Sequence, residues 1–359
     1  MIGRLFIMWI TVTKTFGKVL SPSVTVIWIL LVRMLNAIGL SLDLVFFPAL
    51  RRQKIQRPIV IIGLPRSGTT FLQRFLVENG AGTGMRLWKM LFPSLVLQTI
   101  LKPFLPLLEQ LSPTRHHAAV AHKTGLMSVE TDDPALLFRY FDGFFVYGFF
   151  LAWAENDMKD QFDPNQRDTS ARDFRYLEEI WKRNLVGEHA EREIAKMFTL
   201  LPRIPQFLNA FPDARILYLV RDPTSTIPSV MSLLTGVLNK KFGFWKLDKT
   251  LRTRYIERLY NGLLDLSLRF HKDYTTGMIP SDHLLIIPYD QLMQEFETVM
   301  DNISKFADIP LSDRWLKTVR DTAEQQRAYK SRHQYSLSKF GLTKARIQRD
   351  FAPIYETFL

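Results

Sequence analysis

The chain has 359 residues, 47% of them hydrophobic and 23% charged, which is enough to bury a substantial core and excludes a disordered or low-complexity protein. It contains no cysteine, which excludes disulfides, thiolate metal sites and cysteine nucleophiles and leans against an oxidising lumen. The formal charge is +12, concentrated at the start: residues 1–57 carry Arg4, Lys14, Lys18, Arg33, Arg51, Arg52, Lys54 and Arg57 against the single acid Asp43. A basic terminus points to anionic membrane or nucleic acid.

The same terminus is very apolar, which favours membrane. Stretches 5–12, 19–32 and 34–42 are separated by Lys14, Lys18 and Arg33, and the longest uncharged run is 14 residues. A bilayer span needs roughly 20. No small-residue cleavage site is evident, so a secretory signal is not expected. The reading is of apolar helices lying in the headgroup region, with basic residues toward lipid phosphates. The alternative is a helical pair covering the core. Residues 1–56 are thus expected to form a membrane-associating segment ahead of a domain spanning 57–359.

Next comes "PIVIIGL" (58–64), a short β-branched run ended by Pro65 and Gly68, which predicts a buried strand. "TTFLQRFLVENG" (69–80) has helical spacing and stops at Asn79-Gly80. Residues 172–190 predict a helix; 193–198, 214–220 and 283–290 predict further strands, the last two leading into helices. Strand and helix alternating in this way predict an α/β fold with a parallel sheet flanked by helices.

The loop after the first strand carries the chemistry. Gly63 and Gly68 match the spacing G-x-x-x-x-G between a strand and a helix, a loop that turns its amides around an anion with the helix N-terminus behind it. A nucleoside triphosphatase would continue with Lys and Ser/Thr. Here Thr69 and Thr70 follow, and the cation stands inside the loop, at Arg66. An arginine fork suits phosphate or sulfate oxygens.

"PRSGTT" (65–70) resembles the 5′-phosphosulfate loop of the sulfotransferase family, enzymes that move a sulfuryl group from 3′-phosphoadenosine 5′-phosphosulfate (PAPS) to a hydroxyl or amine. The resemblance extends to "ARILYLVRDPTSTIPSVMSLL" (214–234), where Arg221 ends a strand and Ser229 follows eight residues on. It continues through "IIPYDQLMQEFETVMDNISKFADIP" (286–310) and "HQYSLSKFGLTKARIQRDFAPIYETF" (333–358), the latter similar to the larger microbial-type branch. Residues 57–358 are covered; residues 1–56 have no counterpart. The resemblance implies a three-layer sheet of the P-loop NTPase type. It implies that Pro65, Arg66, Ser67, Gly68, Thr69 and Thr70 hold the donor's 5′-phosphosulfate, and that Arg221 and Ser229 hold its 3′-phosphate. It implies no metal. Taken without the resemblance, Arg221 reads as a strand-end ion-pair partner of Asp222 or Asp213.

Sulfuryl transfer also needs a base. The cytosolic branch uses a histidine in a segment resembling K-T-H-L-P. In "KMFTLLP" (196–202) Lys196 is kept, which places it near the bridging oxygen by resemblance, but Phe198 stands where the histidine would be. Other branches use an early glutamate, and "SVETDDPALLFRYF" (128–141) offers Glu130 beside Asp132 and Asp133. Glu130 is the first candidate, with His122 and His116 behind it. The alternative for the acidic cluster is a helix cap at Asp133-Pro134.

For the acceptor, "FDGFFVYGFFLAW" (141–153) packs seven aromatics into thirteen residues. It reads either as core or as an apolar cleft or membrane-facing lip. With the N-terminal segment it predicts a hydrophobic or lipid-like acceptor and a catalytic domain on the cytoplasmic side of a membrane. Two other classes compete: a P-loop-type kinase or NTPase, and a membrane-attached nucleotide-binding protein without catalysis. Nucleic acid is not expected as a partner, because the basic residues lie among aliphatics without interleaved stacking rings.

Overall fold

The computed structural model describes residues 2–111, 125–328 and 336–359. Four strands form the sheet: β1 (Ile59–Ile62), β2 (Ile194–Lys196), β3 (Arg215–Val220) and β4 (Leu284–Pro288). Their order is β2-β1-β3-β4 and every pair is parallel. β1 and β2 are buried at every position, as expected of strands covered on both faces, and β1 is β-branched throughout. The parallel sheet flanked by helices is the one read from the sequence, with strand ends shifted by one or two residues.

Cα proximity divides the chain into two units: Met1–Ile55, Gly84–Glu191 and Leu233–Gly262 form one, and Gln56–Thr83, Arg192–Ser232 and Leu263–Leu359 the other. The second holds the whole sheet. One of its cores joins Ile59, Ile61, Leu217 and Leu219 to the helices Thr69–Glu78, Phe296–Phe306 and Asp313–Ala328, with Phe75 set edge-on to Phe296 and Trp315 at 5.0 and 5.5 Å. Gly63, one residue past β1, has φ +143°, and a Cβ there would stand 2.3 Å from the Leu219 carbonyl oxygen. Only glycine lets the loop leave β1 this close to β3.

The first unit contains helices Ile2–Phe16 and Leu20–Phe46. The apolar stretches that Lys14, Lys18 and Arg33 separate in the sequence fall almost wholly on these two helices. Arginine is a good helix former, so Arg33 does not interrupt the second helix, and its 27 residues run about 40 Å. By length and composition it is long and apolar enough to cross a membrane.

Its faces are inverted relative to a soluble amphipathic helix. The buried stripe is Val32, Asn36, Gly39 and Asp43, while Ile27, Met34, Ile38 and Val45 are more than half exposed. The stripe packs through polar bonds. Asn36 Nδ2 donates to the Leu91 carbonyl (2.8 Å), and a Cβ on Gly39 would lie 2.6 Å from Ser94 Oγ. Asp43 is fully buried and accepts from Ser94 Oγ, from the amides of Leu95 and Val96, and from Arg183 Nε at 2.8 Å.

Arg4 does not face outward as the basic N-terminus predicted. It donates to the carbonyls of Tyr140 and Phe141 and pairs with buried Asp142 at 3.2 Å. The aromatic segment 141–153 forms a short helix, Phe144–Val146, and a π-turn, Tyr147–Leu151. Phe141, Phe144, Tyr147 and Trp153 are buried core residues; Phe145, Phe149 and Phe150 are half-buried. Most of the widely exposed apolar side chains of this unit lie on the N-terminal helices, with others at Ile100, Phe104, Leu107 and Met127, and none on this segment.

Candidate active site

β1 lies between β2 and β3, so the chain leaves its carboxyl end where the strand order reverses, the place where open parallel sheets bind ligands. The loop 63–68 begins there. Arg66 adopts φ +77° and Gly68 φ +87°, and the strained arginine is the kind of backbone feature that clusters at ligand sites. Gly68 also approaches Tyr289 and Leu292, whose ring and methyl carbons would lie 3.2 to 3.3 Å from an added Cβ. Thr69 and Thr70 open the helix Thr69–Glu78. That helix has no side-chain cap at Gly68 and no acid in its first turn, which leaves its amide end favourable to an anion.

Three bonds knit the predicted residues together within the sheet-bearing unit. Arg66 Nε donates to Ser229 Oγ at 3.0 Å, Arg221 Nη1 donates to the Arg66 carbonyl at 2.9 Å, and Lys196 Nζ donates to Thr70 Oγ1 at 2.8 Å. Ser229 is buried on the helix Pro223–Phe242, Ser67 is buried in the loop, and Lys196 is 7% exposed at the end of β2. Pro65 is half-buried at the start of the turn. Three cations, two hydroxyls and a run of amides thus share the carboxyl edge of one sheet, an arrangement suited to a ligand with several phosphate or sulfate oxygens.

The ion-pair reading of Arg221 does not hold among the described residues. Asp213 accepts from the Arg57 amide, and Asp222 accepts from Thr224 and from the Tyr355 hydroxyl. Arg221 instead lies 3.9 Å over the Tyr289 ring. Tyr289 is a site neighbour that sequence reasoning missed, although "PYD" at the end of a predicted strand carried the signal.

Burial pushes the Asp222 carboxyl up. Hydrogen bonds from Thr224 and Tyr355 and the nearby charge of Lys344 outweigh it and hold it below the usual carboxylate range. Because the folded value is the lower one, the stabilisation is present above about pH 4 and is lost as pH falls through the folded value. Tyr355→Phe is therefore expected to lower stability by about 1 kcal/mol at neutral pH. Urea midpoints should show a smaller difference in acid; an effect independent of pH would contradict this pairing.

Glu130 lies in the other unit. It is 5% exposed, and its amide donates to the Met85 carbonyl. Asp132 is fully buried and accepts from Trp181 Nε1. Asp133 opens the helix Asp133–Tyr140 with Pro134 beside it, and Asp132 at the N-cap makes no side-chain cap bond. His116 and His122 fall outside the described residues. Among the described residues no group of three His, Asp or Glu side chains could hold a metal ion.

A family model described as the sulfotransferase family matches residues 58–313. The chain belongs to the sulfotransferase family. The match begins at β1 and includes the loop, Lys196, Arg221, Ser229 and Tyr289. A comparison with curated proteins finds no match. Among solved structures, this sulfotransferase is similar to sulfotransferase STF1 from Mycobacterium tuberculosis H37Rv, at 18% identity and TM-score 0.69, over 98% of this chain and 91% of that one. It is also similar to STF9 from Mycobacterium avium, at 20% identity and TM-score 0.66, over 89% and 81%. Those likenesses speak to fold.

Proposed function

We propose that this sulfotransferase takes the sulfuryl group of PAPS and transfers it to a hydroxyl or amine of a hydrophobic, lipid-like acceptor at a membrane surface. The observation that carries the donor assignment is the joined set Arg66, Ser229 and Arg221 beside a phosphate loop that lacks the triphosphatase lysine. In this reading, residues 65–70 hold the 5′-phosphosulfate. Arg221 and Ser229 hold the 3′-phosphate, and Tyr289 keeps the Arg221 fork parked in its plane. Lys196 stabilises charge on the bridging oxygen as the S–O bond breaks. Glu130 takes the acceptor's proton, after which the acceptor oxygen or nitrogen bonds to sulfur and adenosine 3′,5′-bisphosphate leaves.

The membrane half of the proposal draws on the outward apolar face of Leu20–Phe46 and on exposed Lys14, Lys18, Arg51, Arg52 and Lys54 flanking it. Residues 1–56 thus form the membrane-associating segment, 57–359 the catalytic domain, and the catalytic domain works on the cytoplasmic side. The test is incubation of the full chain with sulfur-labelled PAPS, against detergent-solubilised membrane lipid on one side and small phenols on the other. Label in the lipid fraction is expected. Label confined to phenols would overturn the acceptor assignment.

A further inference from the structure

The helix Leu20–Phe46 carries one basic residue, Arg33, set between the exposed Leu31 and Met34. Arg33 is half-buried, and its Nη1 is buried with no hydrogen-bond partner. Arg139, in the last turn of Asp133–Tyr140, has a buried Nε in the same condition. The two belong to the same unit, on helices that pack against each other, Leu20–Phe46 and Asp133–Tyr140. The Arg139 guanidinium stands 5.4 Å from the Tyr176 ring and 5.9 Å from the Tyr140 ring, and those rings meet edge to face at 5.6 Å.

A third guanidinium, Arg172, lies 3.9 Å over the Tyr140 ring, but its charge is met by Asp142 and Asp173. Asp142 is further engaged by Arg4 and Arg167. Among the described residues neither Arg33 nor Arg139 has a carboxylate within ion-pair reach. Burial first, and then the positive charge of Arg139, lower the pKa of Arg33. Holding two guanidiniums together without an anion costs free energy, and the buried N–H groups add the penalty of unmet donors.

We infer that Arg33 and Arg139 form a binding site for the phosphate headgroup of an anionic lipid, at the edge of the outward apolar face of Leu20–Phe46. The chemistry fits on three counts. Two forks match the oxygens of one phosphate. The half-buried Tyr140 ring, backed by buried Tyr176, provides an amphipathic wall of the kind found at the water–lipid boundary. The exposed aliphatic side chains of the same helix continue the site into a surface for acyl chains. This rests on the membrane half of the proposed function and is independent of the donor assignment.

The experiment is flotation of the full chain with three vesicle sets: phosphatidylcholine alone, phosphatidylcholine with phosphatidic acid, and phosphatidylcholine with oleate at matched charge. Wild type is expected to prefer the phosphatidic acid vesicles over the oleate vesicles. Arg33→Lys/Arg139→Lys keeps the charge and removes the forks, so it should still bind but lose about tenfold of that preference. Circular dichroism and the thermal midpoint confirm that the variant is folded. An unchanged preference in the double variant would overturn the site and leave diffuse attraction between basic residues and anionic lipid. Failure of wild type to float with any vesicle would instead overturn the membrane reading itself. Protection by glycerol 3-phosphate without any vesicle preference would overturn the lipid as the source of the phosphate.

Discussion

Glu130→Gln is expected to lower kcat by about 10²–10⁴ while leaving binding of the donor product unchanged. Glutamine keeps the shape of the side chain, so the fold should survive; what it removes is the capacity to accept a proton. Glu130 is 5% exposed in a segment that begins the Asp133–Tyr140 helix. Glu130 is the acid proposed for proton transfer because it stands in the early segment where, by resemblance, other branches of the family carry a glutamate. Turnover should fall in single-turnover as well as steady-state assays, because the loss is in the chemical step. Full activity in Glu130→Gln would move the base elsewhere and return the histidines His116 and His122 to first place.

Asp43→Ala is expected to destabilise the protein by about 3–5 kcal/mol, the range for breaking one side of a buried ion pair. The carboxylate does more than pair with Arg183. It also receives the first two amides of the helix Leu95–Leu101, whose third is taken by Ser94 Oγ, so a side chain from one helix completes the N-terminal cap of another. For that reason Asp43→Ala/Arg183→Met, which removes both charges, should recover only part of the loss; the amides of Leu95 and Val96 remain without their acceptor. Urea unfolding of the two variants checks this. Full recovery in the double variant would mean that the ion pair alone mattered. The same carboxylate holds the apolar helix with its polar stripe inward, so Asp43→Ala should also alter vesicle binding.

Much of the sheet-bearing unit was legible in the sequence. Short apolar runs predicted all four strands, the first of them β-branched and ended by Pro65 and Gly68, because buried parallel strands have little choice of composition. Arg66, Thr70, Lys196, Arg221 and Ser229 were named from the resemblance to sulfotransferases, since their bonds to one another span 126 to 163 positions and no local spacing announces them. Tyr289 and Tyr355 were not. One stacks on Arg221 and the other holds Asp222 from 133 positions away, and contacts of that separation leave no periodic trace.

The N-terminal helix was misjudged for a different reason. Counting uncharged residues treats Arg33 as a break, whereas arginine is a good helix former and the helix runs through it. The polar stripe Asn36, Gly39 and Asp43 looks like weak amphipathicity in a sequence, and only its burial reveals which face is the outside. The aromatic run 141–153 was half legible. Its density fitted both core and cleft, and four of its seven rings are fully in the core.

The central claim is the donor, and the most direct measurement is thermal stabilisation by adenosine 3′,5′-bisphosphate, compared with AMP and Mg-ATP, in wild type and Arg221→Ala. A ligand that binds only the folded state at 100 times its Kd adds about 2.7 kcal/mol. Stabilisation by the bisphosphate alone, lost in Arg221→Ala, is the predicted result. Equal or greater stabilisation by Mg-ATP would contradict it, and the loop around Arg66 would then belong to a nucleoside triphosphate site.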